Sequence, residues 1–141
     1  METGIVIDAA HNCVFIQRTG TFERGGLNLV VQEAIALPEF RQGMNFLIDL
    51  RLVDFSKAGY TQLSGYGDVW REIANSIAPC KMAVVHSSPR NFGIGRQSAT
   101  LFEAQGVERR PFVNLGEALL FLGLPADFEL PAEPMDRDEA C

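Results

Sequence analysis

Residues 45–61 read NFLIDLRLVDFSKAGYT, and this stretch decides the fold class. The run at 46–50 is apolar except for Asp49, which predicts a buried central strand covered by helices. Asp49 and Arg51 lie near the carboxyl end of this strand, where open α/β sheets usually place their functional residues. The stretch therefore predicts a fold class and one functional edge of a sheet, without naming a reaction.

Strand and helix patterns alternate along the rest of the chain. Strands are predicted at 5–8, 13–18, 45–51, 81–86 and 109–113, and helices at 21–37, 60–78, 91–106 and after the N-cap Asn114. The short turn between the first two strands predicts an antiparallel hairpin. The later β-α alternation predicts parallel strands. The sequence thus predicts a single-domain α/β fold with a mixed five-stranded sheet, about four helices, and Pro111 on an edge strand.

Composition and charge limit the classes of function. The 141 residues fit one domain, at 1–124, followed by an acidic, proline-containing tail at 125–141 with little regular structure. The tail contains six acidic residues and one arginine, so it carries −5 of the net charge of −6. A nearly neutral body offers no general attraction for nucleic acid. Without a transmembrane run or a signal peptide, we expect a cytoplasmic protein.

The three cysteines do not suggest a disulfide framework or a metal site. No CxxC motif or Cys/His cluster is present, so neither a metal nor another cofactor is expected. Cys13 and Cys80 fall in predicted strands and are expected to be small buried hydrophobic residues. Cys141 is terminal and is expected to be exposed.

His86 stands next to Ser87 and Ser88 at the end of a predicted strand. Neighbouring strand residues point to opposite faces, so adjacency does not make a nucleophile–base pair. No G-x-S-x-G elbow is present, and Cys80 is about 20 Å away along an extended strand. A solvated or capping histidine is the simpler interpretation. We therefore expect no catalytic residue and lean towards a protein without enzymatic activity.

The sequence GIGR at 93–96 follows a predicted strand and opens a predicted helix. It matches a dinucleotide-binding turn only in part, because Ser98 replaces the last glycine. Free backbone N–H groups at 91–93, with Arg96 one turn later, could hold a phosphate or a carboxylate. The alternative is that the glycines only allow close packing against the sheet.

Polar and apolar side chains are both predicted at the carboxyl ends of the strands. Arg51 and its charged neighbours Asp49, Asp54 and Lys57 could bind a polar ligand or partner, or could form surface ion pairs of little net energy. A second set is apolar and could line a slot for a lipid-like tail or close the top of the core. Its members are Phe55, Tyr60, Phe92 and Ile94.

Three stretches resemble one known family. They are GMNFLIDLRLVDF at 43–55, KMAVVHSSPRNFGIGRQSATLF at 81–102 and VERRPFVNLGEALLFLGL at 107–124. In this order they are similar to the SpoIIAA-like group of STAS and SEC14-like (CRAL-TRIO-like) domains. The resemblance implies a small α/β domain that binds a protein partner, senses a small ligand or carries a lipid.

Some members of that family are switched by phosphorylation of a serine after the central strand. The corresponding loop here reads DFSKAG at 54–59 and lacks the Asp-Ser-Ser-Gly pattern. Lys57 and Ala58 stand about where the family has an aspartate and the target serine, although Ser56 is nearby. The resemblance therefore does not extend to the phosphorylation switch.

The leading hypothesis is a non-enzymatic domain that binds a protein partner or a small apolar ligand at a rim formed by 51–60 and 87–96. The alternative is an enzyme or sensor that binds a phosphate- or carboxylate-bearing molecule near Arg96. A homodimer is a further possibility, through helix faces because Pro111 blunts the predicted edge strand. The candidate binding residues are Arg51, Phe55, Ser56, Tyr60, Ser87, Asn91, Phe92, Gly93 and Arg96.

Overall fold

The computed structural model describes residues 2–21, 26–56, 67–90 and 106–131, which form a mixed α/β structure. Within these residues lie five strands and three α-helices. They are β1 (Glu2–Asp8), β2 (Cys13–Thr21), α1 (Gly26–Ile35), β3 (Asn45–Asp54), α2 (Gly67–Ile77), β4 (Cys80–Val85), β5 (Val107–Phe112) and α3 (Leu115–Phe121). None of these helices is long and apolar enough to cross a membrane.

The five strands form one sheet in the order β1-β2-β3-β4-β5, which is also their order in the chain. β1 pairs antiparallel with β2, and the other neighbours pair in parallel. The predicted mixed sheet with an antiparallel N-terminal strand is confirmed. β5 is an edge strand, so the position predicted for Pro111 is also confirmed.

A short 3₁₀ turn at Ala9–His11 closes the β1–β2 hairpin. The Asp8 side chain accepts a hydrogen bond from the backbone N–H of His11 at 3.1 Å. Asn12 then takes the left-handed conformation, with a φ of 53°, which asparagine tolerates better than most residues. These local bonds reverse the chain and set the register that starts with Asp8 opposite Cys13.

The predicted start of the first helix is wrong. Thr21 is the last residue of β2, where it pairs with Asp54 of β3, and the described helix begins at Gly26. β3 likewise continues three residues beyond its predicted end at 51. Pairing between β2 and β3 lengthens both strands, because ladder hydrogen bonds outweigh a weak local helix preference. The predicted start of the second helix at 60 and the third predicted helix, 91–106, lie outside the described residues.

Each face of the sheet carries its own core layer. We call the first the α1/α2 face, because both helices pack there, with Val31, Ala34, Trp70 and Ile77 fully buried. We call the second the α3 face, where Ala118 and Leu119 are also fully buried. From Phe46 to Leu50, residues at alternate positions of β3 serve the two layers in turn, as a strand with a period of two requires. Val53 lies in the α1/α2 layer again, after the register shift between β2 and β3.

The segment 125–131 belongs to the second layer. It contains no helix or strand, as predicted, but Phe128 and Leu130 pack on the α3 face. The Phe128 ring stacks on Phe15 with a centroid distance of 5.7 Å and an angle of 8° between the ring planes. α3 lies against β4 and β5, so this segment covers the part of the sheet that α3 does not reach. The packed structure therefore extends beyond residue 124.

Candidate functional site

Asp49 and Arg51 form a tight pair within β3, three and more residues before the strand ends at Asp54, and not at its carboxyl end as predicted. The Arg51 guanidinium donates two hydrogen bonds to the Asp49 carboxylate, both at 2.9 Å, and the Arg51 backbone N–H donates a third at 3.0 Å. These bonds are the main cause of a raised pKa for Arg51. Asp49 is buried, whereas the Arg51 side chain is 39% exposed. Arg51 is therefore largely committed to Asp49.

Asp49 is one of the residues that line a small pocket on the α3 face. Gln17 approaches the Asp49 carboxylate with a donor–acceptor distance of 3.5 Å, and Leu130 and Pro131 form part of the pocket wall. The cavity has a volume of about 20 Å³, which is enough for a water molecule. This pocket is too small to hold a metabolite as it stands.

The loops after β3 and β4 are neighbours, as the sequence predicts. The Arg90 side chain donates a hydrogen bond to the Phe55 carbonyl at 3.3 Å. Phe55 itself is 4% exposed and packs in the core of the α1/α2 face, so it closes the top of that core. Ser56 and Ser87 are exposed, and the Ser56 backbone N–H bonds to Asp54.

His86 is buried directly after β4, and the interpretation of a solvated or capping histidine is wrong. Its residue exposure is 2%, and its backbone N–H donates to the Phe112 carbonyl at 2.7 Å. Neither ring nitrogen has a hydrogen-bond partner within the described residues. Buried polar atoms in folded proteins are nearly always paired, so this side chain requires an explanation.

The surroundings of His86 keep the imidazole neutral. Burial, with a contribution from the charge of Arg109, lowers the pKa of His86 to about 4. The Phe55 ring lies 5.7 Å from the imidazole, and the Arg109 guanidinium lies 5.3 Å from the Trp70 ring. Burial also lowers the pKa of Arg109, to about 10. We call these four residues the His86 cluster.

A second unpaired polar atom lies in the His86 cluster. The Trp70 side chain is fully buried, and its Nε1–H has no hydrogen-bond partner among the residues that the structure describes. A neutral imidazole offers one donor and one acceptor, and the indole offers one donor. The cluster thus contains buried donors and an acceptor that no described residue pairs.

The pKa values of the buried groups limit the chemistry available to each of them. A general base works best with a pKa near the working pH, and a histidine with a pKa of about 4 is a weak base. Within the described residues no three histidine, cysteine, aspartate or glutamate side chains are grouped as metal ligands. Cys13 and Cys80 are buried as predicted, and burial raises their pKa values to about 12 and 11, which makes both thiols unreactive.

The predicted rim is divided by the sheet. Arg51 shares the α3 face with Asp49, whereas Phe55 and His86 belong to the α1/α2 face. The β2–β3 ladder shifts register after the Gln17–Asp49 pair, so Leu50 and Val53 both pack in the α1/α2 layer and Phe55 does not share the face of Arg51. These residues therefore do not line one surface. The anion site proposed at Arg96 lies outside the described residues and stays a prediction. Five candidate binding residues lie outside the described residues: Tyr60, Asn91, Phe92, Gly93 and Arg96.

Sequence reasoning missed His86 and Arg109. A signal for His86 was present, because every second residue of β4 faces the α1/α2 core, namely Cys80, Met82 and Val84. Continuing that alternation places His86 on the same buried side. Nothing comparable marks Arg109, whose neighbours Glu108 and Arg110 are also charged.

No model of a known protein family matches this chain, and no curated protein matches it.

Proposed function

We propose that this protein is a non-enzymatic binding domain, similar in kind to the SpoIIAA-like STAS and SEC14-like domains. Its ligand is a small molecule with an apolar body and one hydrogen-bonding head, held at the carboxyl end of β4. His86 supplies the polar contact, and Phe55 supplies part of the apolar wall.

The buried, unpaired imidazole of His86 carries this proposal. A buried polar group without a partner destabilises a fold by about 1–3 kcal/mol. A phenylalanine at this position would avoid that cost while filling similar space. The presence of a histidine is accounted for if a ligand supplies the missing hydrogen bond.

The position of the cluster agrees with this interpretation. Ligands of open α/β sheets bind beyond the carboxyl ends of the strands, and His86 directly follows β4. Binding sites for small molecules are mostly apolar with a few placed polar groups, which describes the His86 cluster. The nearby positive charge of Arg109 allows the head to be either a hydroxyl or a carboxylate.

The test compares wild-type protein with His86→Phe, and uses octanol and octanoate as probes with equal apolar bodies and different heads. We expect at least one probe to raise the Tm of the wild-type protein, and His86→Phe to abolish that shift. Because the substitution removes the unpaired imidazole, the unliganded variant should be more stable than wild type.

His11→Phe is the matched control, since His11 is the only other histidine and lies in the hairpin turn. It should keep the response to the probe. With two histidines in the chain, NMR can follow the His86 imidazole signal directly. Equal binding of the probes by His86→Phe and wild type would contradict the proposal. So would a wild-type protein that responds to neither probe and shows no bound small molecule in native mass spectra.

A further inference from the structure

The two edges of the sheet differ in their capacity to accept another strand. On β5, Pro111 lacks a backbone N–H, and Glu108, Arg109 and Arg110 carry charges. On β1, residues 3–7 read TGIVI and contain neither a proline nor a charge. Prolines and charged residues are the usual means of protecting an edge strand from pairing with another strand. β5 is therefore protected, and β1 is not.

β1 is also a regular template. Its seven residues pair with β2 without a register shift, whereas the β2–β3 ladder is irregular between Gln17 and Thr19. Within the described residues, no backbone hydrogen bond joins β1 to any element other than β2. Alternate residues of an edge strand point their N–H and C=O groups outwards, so about half of those in β1 face away from the sheet.

We propose that β1 pairs antiparallel with β1 of a second copy of this chain, so that two five-stranded sheets join into one of ten strands. A second copy fits because a two-fold axis perpendicular to the sheet brings like faces together. Ile5 and Ile7 are partly exposed on the α1/α2 face, and Val6 is partly exposed on the α3 face. With the axis at Val6, Ile5 lies opposite Ile7 of the second copy and Val6 lies opposite Val6, so apolar side chains of the same layer meet.

Both core layers thus continue from one copy to the other. A strand of an unrelated protein would have to carry apolar side chains at the same alternate positions to cover both faces. β1 of a second copy carries them because its sequence is the same. Because β5 is protected, β1 is the open edge of the sheet that the described residues form. The association therefore closes at a dimer and does not extend into a fibre.

The charges at the two ends of β1 restrict the register. If the axis passed through Ile5, Glu2 would lie opposite Asp8 of the second copy, and like charges directly opposite are destabilising. An axis through Gly4 or Val6 shifts the pairing by two residues and separates these acids. The axis at Gly4 sets Val6 opposite Glu2, whereas the axis at Val6 sets apolar residues opposite each other, so we expect the register with the axis at Val6.

The test measures the dimerisation constant of the full chain by analytical ultracentrifugation from the micromolar to the millimolar range. The variant is Val6→Lys, which places a charge on the free edge, and we expect it to weaken dimerisation by about tenfold or more. The control is Leu120→Lys, which makes the same change of charge on the exposed surface of α3, where Leu120 is 60% exposed. We expect this control to dimerise as wild type does.

Hydrogen exchange of the wild-type chain supplies a measurement that does not depend on how a variant folds. The outward amides of β1 should exchange more slowly at high protein concentration, while those of β5 should not change. A wild-type protein that is monomeric over the whole range overturns the proposal. Equal weakening by Val6→Lys and Leu120→Lys, or slowed exchange confined to helices, also overturns it.

Discussion

At the scale of single residues, His86 shows how burial changes what a side chain can do. The sequence places a histidine beside two serines at a strand end, which suggests a polar, solvated group. In the fold its backbone continues the β4 direction and its ring enters the core of the α1/α2 face. Local sequence could not decide this, because the ring is buried by Phe55 and its neighbours, which are distant in the chain.

The lowered pKa of His86 predicts how stability depends on pH. The unfolded chain binds a proton at His86 below about pH 6.5, whereas the folded chain binds it only below about pH 4. Between these values the unfolded state holds more protons, so the unfolding free energy falls as the pH falls. The full loss is about 3 kcal/mol, from 1.36 kcal/mol for each pKa unit.

Urea unfolding at a series of pH values checks this expectation. The stability of His86→Phe should change less than that of wild type between pH 6.5 and 4. His11→Gln should keep the His86 contribution. If His86→Phe and wild type lose the same stability over this interval, folding does not lower the pKa of His86 and the prediction fails.

At the scale of elements, the sequence predicts which strands and helices exist better than where they begin. The strand around 46–50 follows from its apolar run, and the cap of α3 follows from one asparagine. The start of α1 could not be predicted, because the extent of β2 depends on its pairing with β3. Pairing between segments that are distant in sequence leaves no local signal.

The cap of α3 gives a prediction at this scale. The Asn114 Oδ1 accepts a hydrogen bond from the Glu117 N–H at 2.9 Å, with Asn114 in an extended conformation. Asn114→Ala should lower the unfolding free energy by about 1 kcal/mol, because it leaves a helix N–H without its partner. Chemical denaturation measures the change.

Asn114→Asp and Asn114→Ser are the controls, since both can accept the same hydrogen bond. Each should keep most of the wild-type stability. α3 has only seven residues, so its stability depends on the cap and on the burial of Ala118 and Leu119. A loss as large in Asn114→Ser as in Asn114→Ala would show that the cap does not act through this hydrogen bond.

At the scale of the whole molecule, the strand order explains why the chain beyond α3 is needed. β2, β3, β4 and β5 lie side by side in chain order. Right-handed connections between such strands place the connecting helices on one side of the sheet. α1 and α2 do lie together on that side. The other side must be covered by the chain after β5, namely α3 and the segment 125–131. Composition predicted an irregular acidic tail but could not show that its first residues pack.

Two truncations test this role. A chain that ends at residue 124 loses Phe128 and Leu130 and should be less stable by about 2–3 kcal/mol, because it exposes apolar surface around Phe15. A chain that ends at residue 131 keeps this packing. Thermal and urea unfolding compare the two with the full chain.

We expect the chain ending at 131 to stay within about 0.5 kcal/mol of the full chain, as is usual for changes away from packed residues. Phe128→Ala in the full chain removes the packed ring without shortening the chain. It should reproduce part of the stability that truncation at 124 removes. Equal stability of the chains ending at 124 and 131 would contradict a structural role for the segment.

The agreement between strand order and chain order has a consequence for synthesis on the ribosome. Each strand emerges after the one it pairs with, so the sheet can grow by addition to an edge that has already formed. The α1/α2 side can be covered during this growth, but the opposite side stays bare until α3 and the segment 125–131 have left the ribosome. Until then, a nascent chain should offer an apolar surface to chaperones.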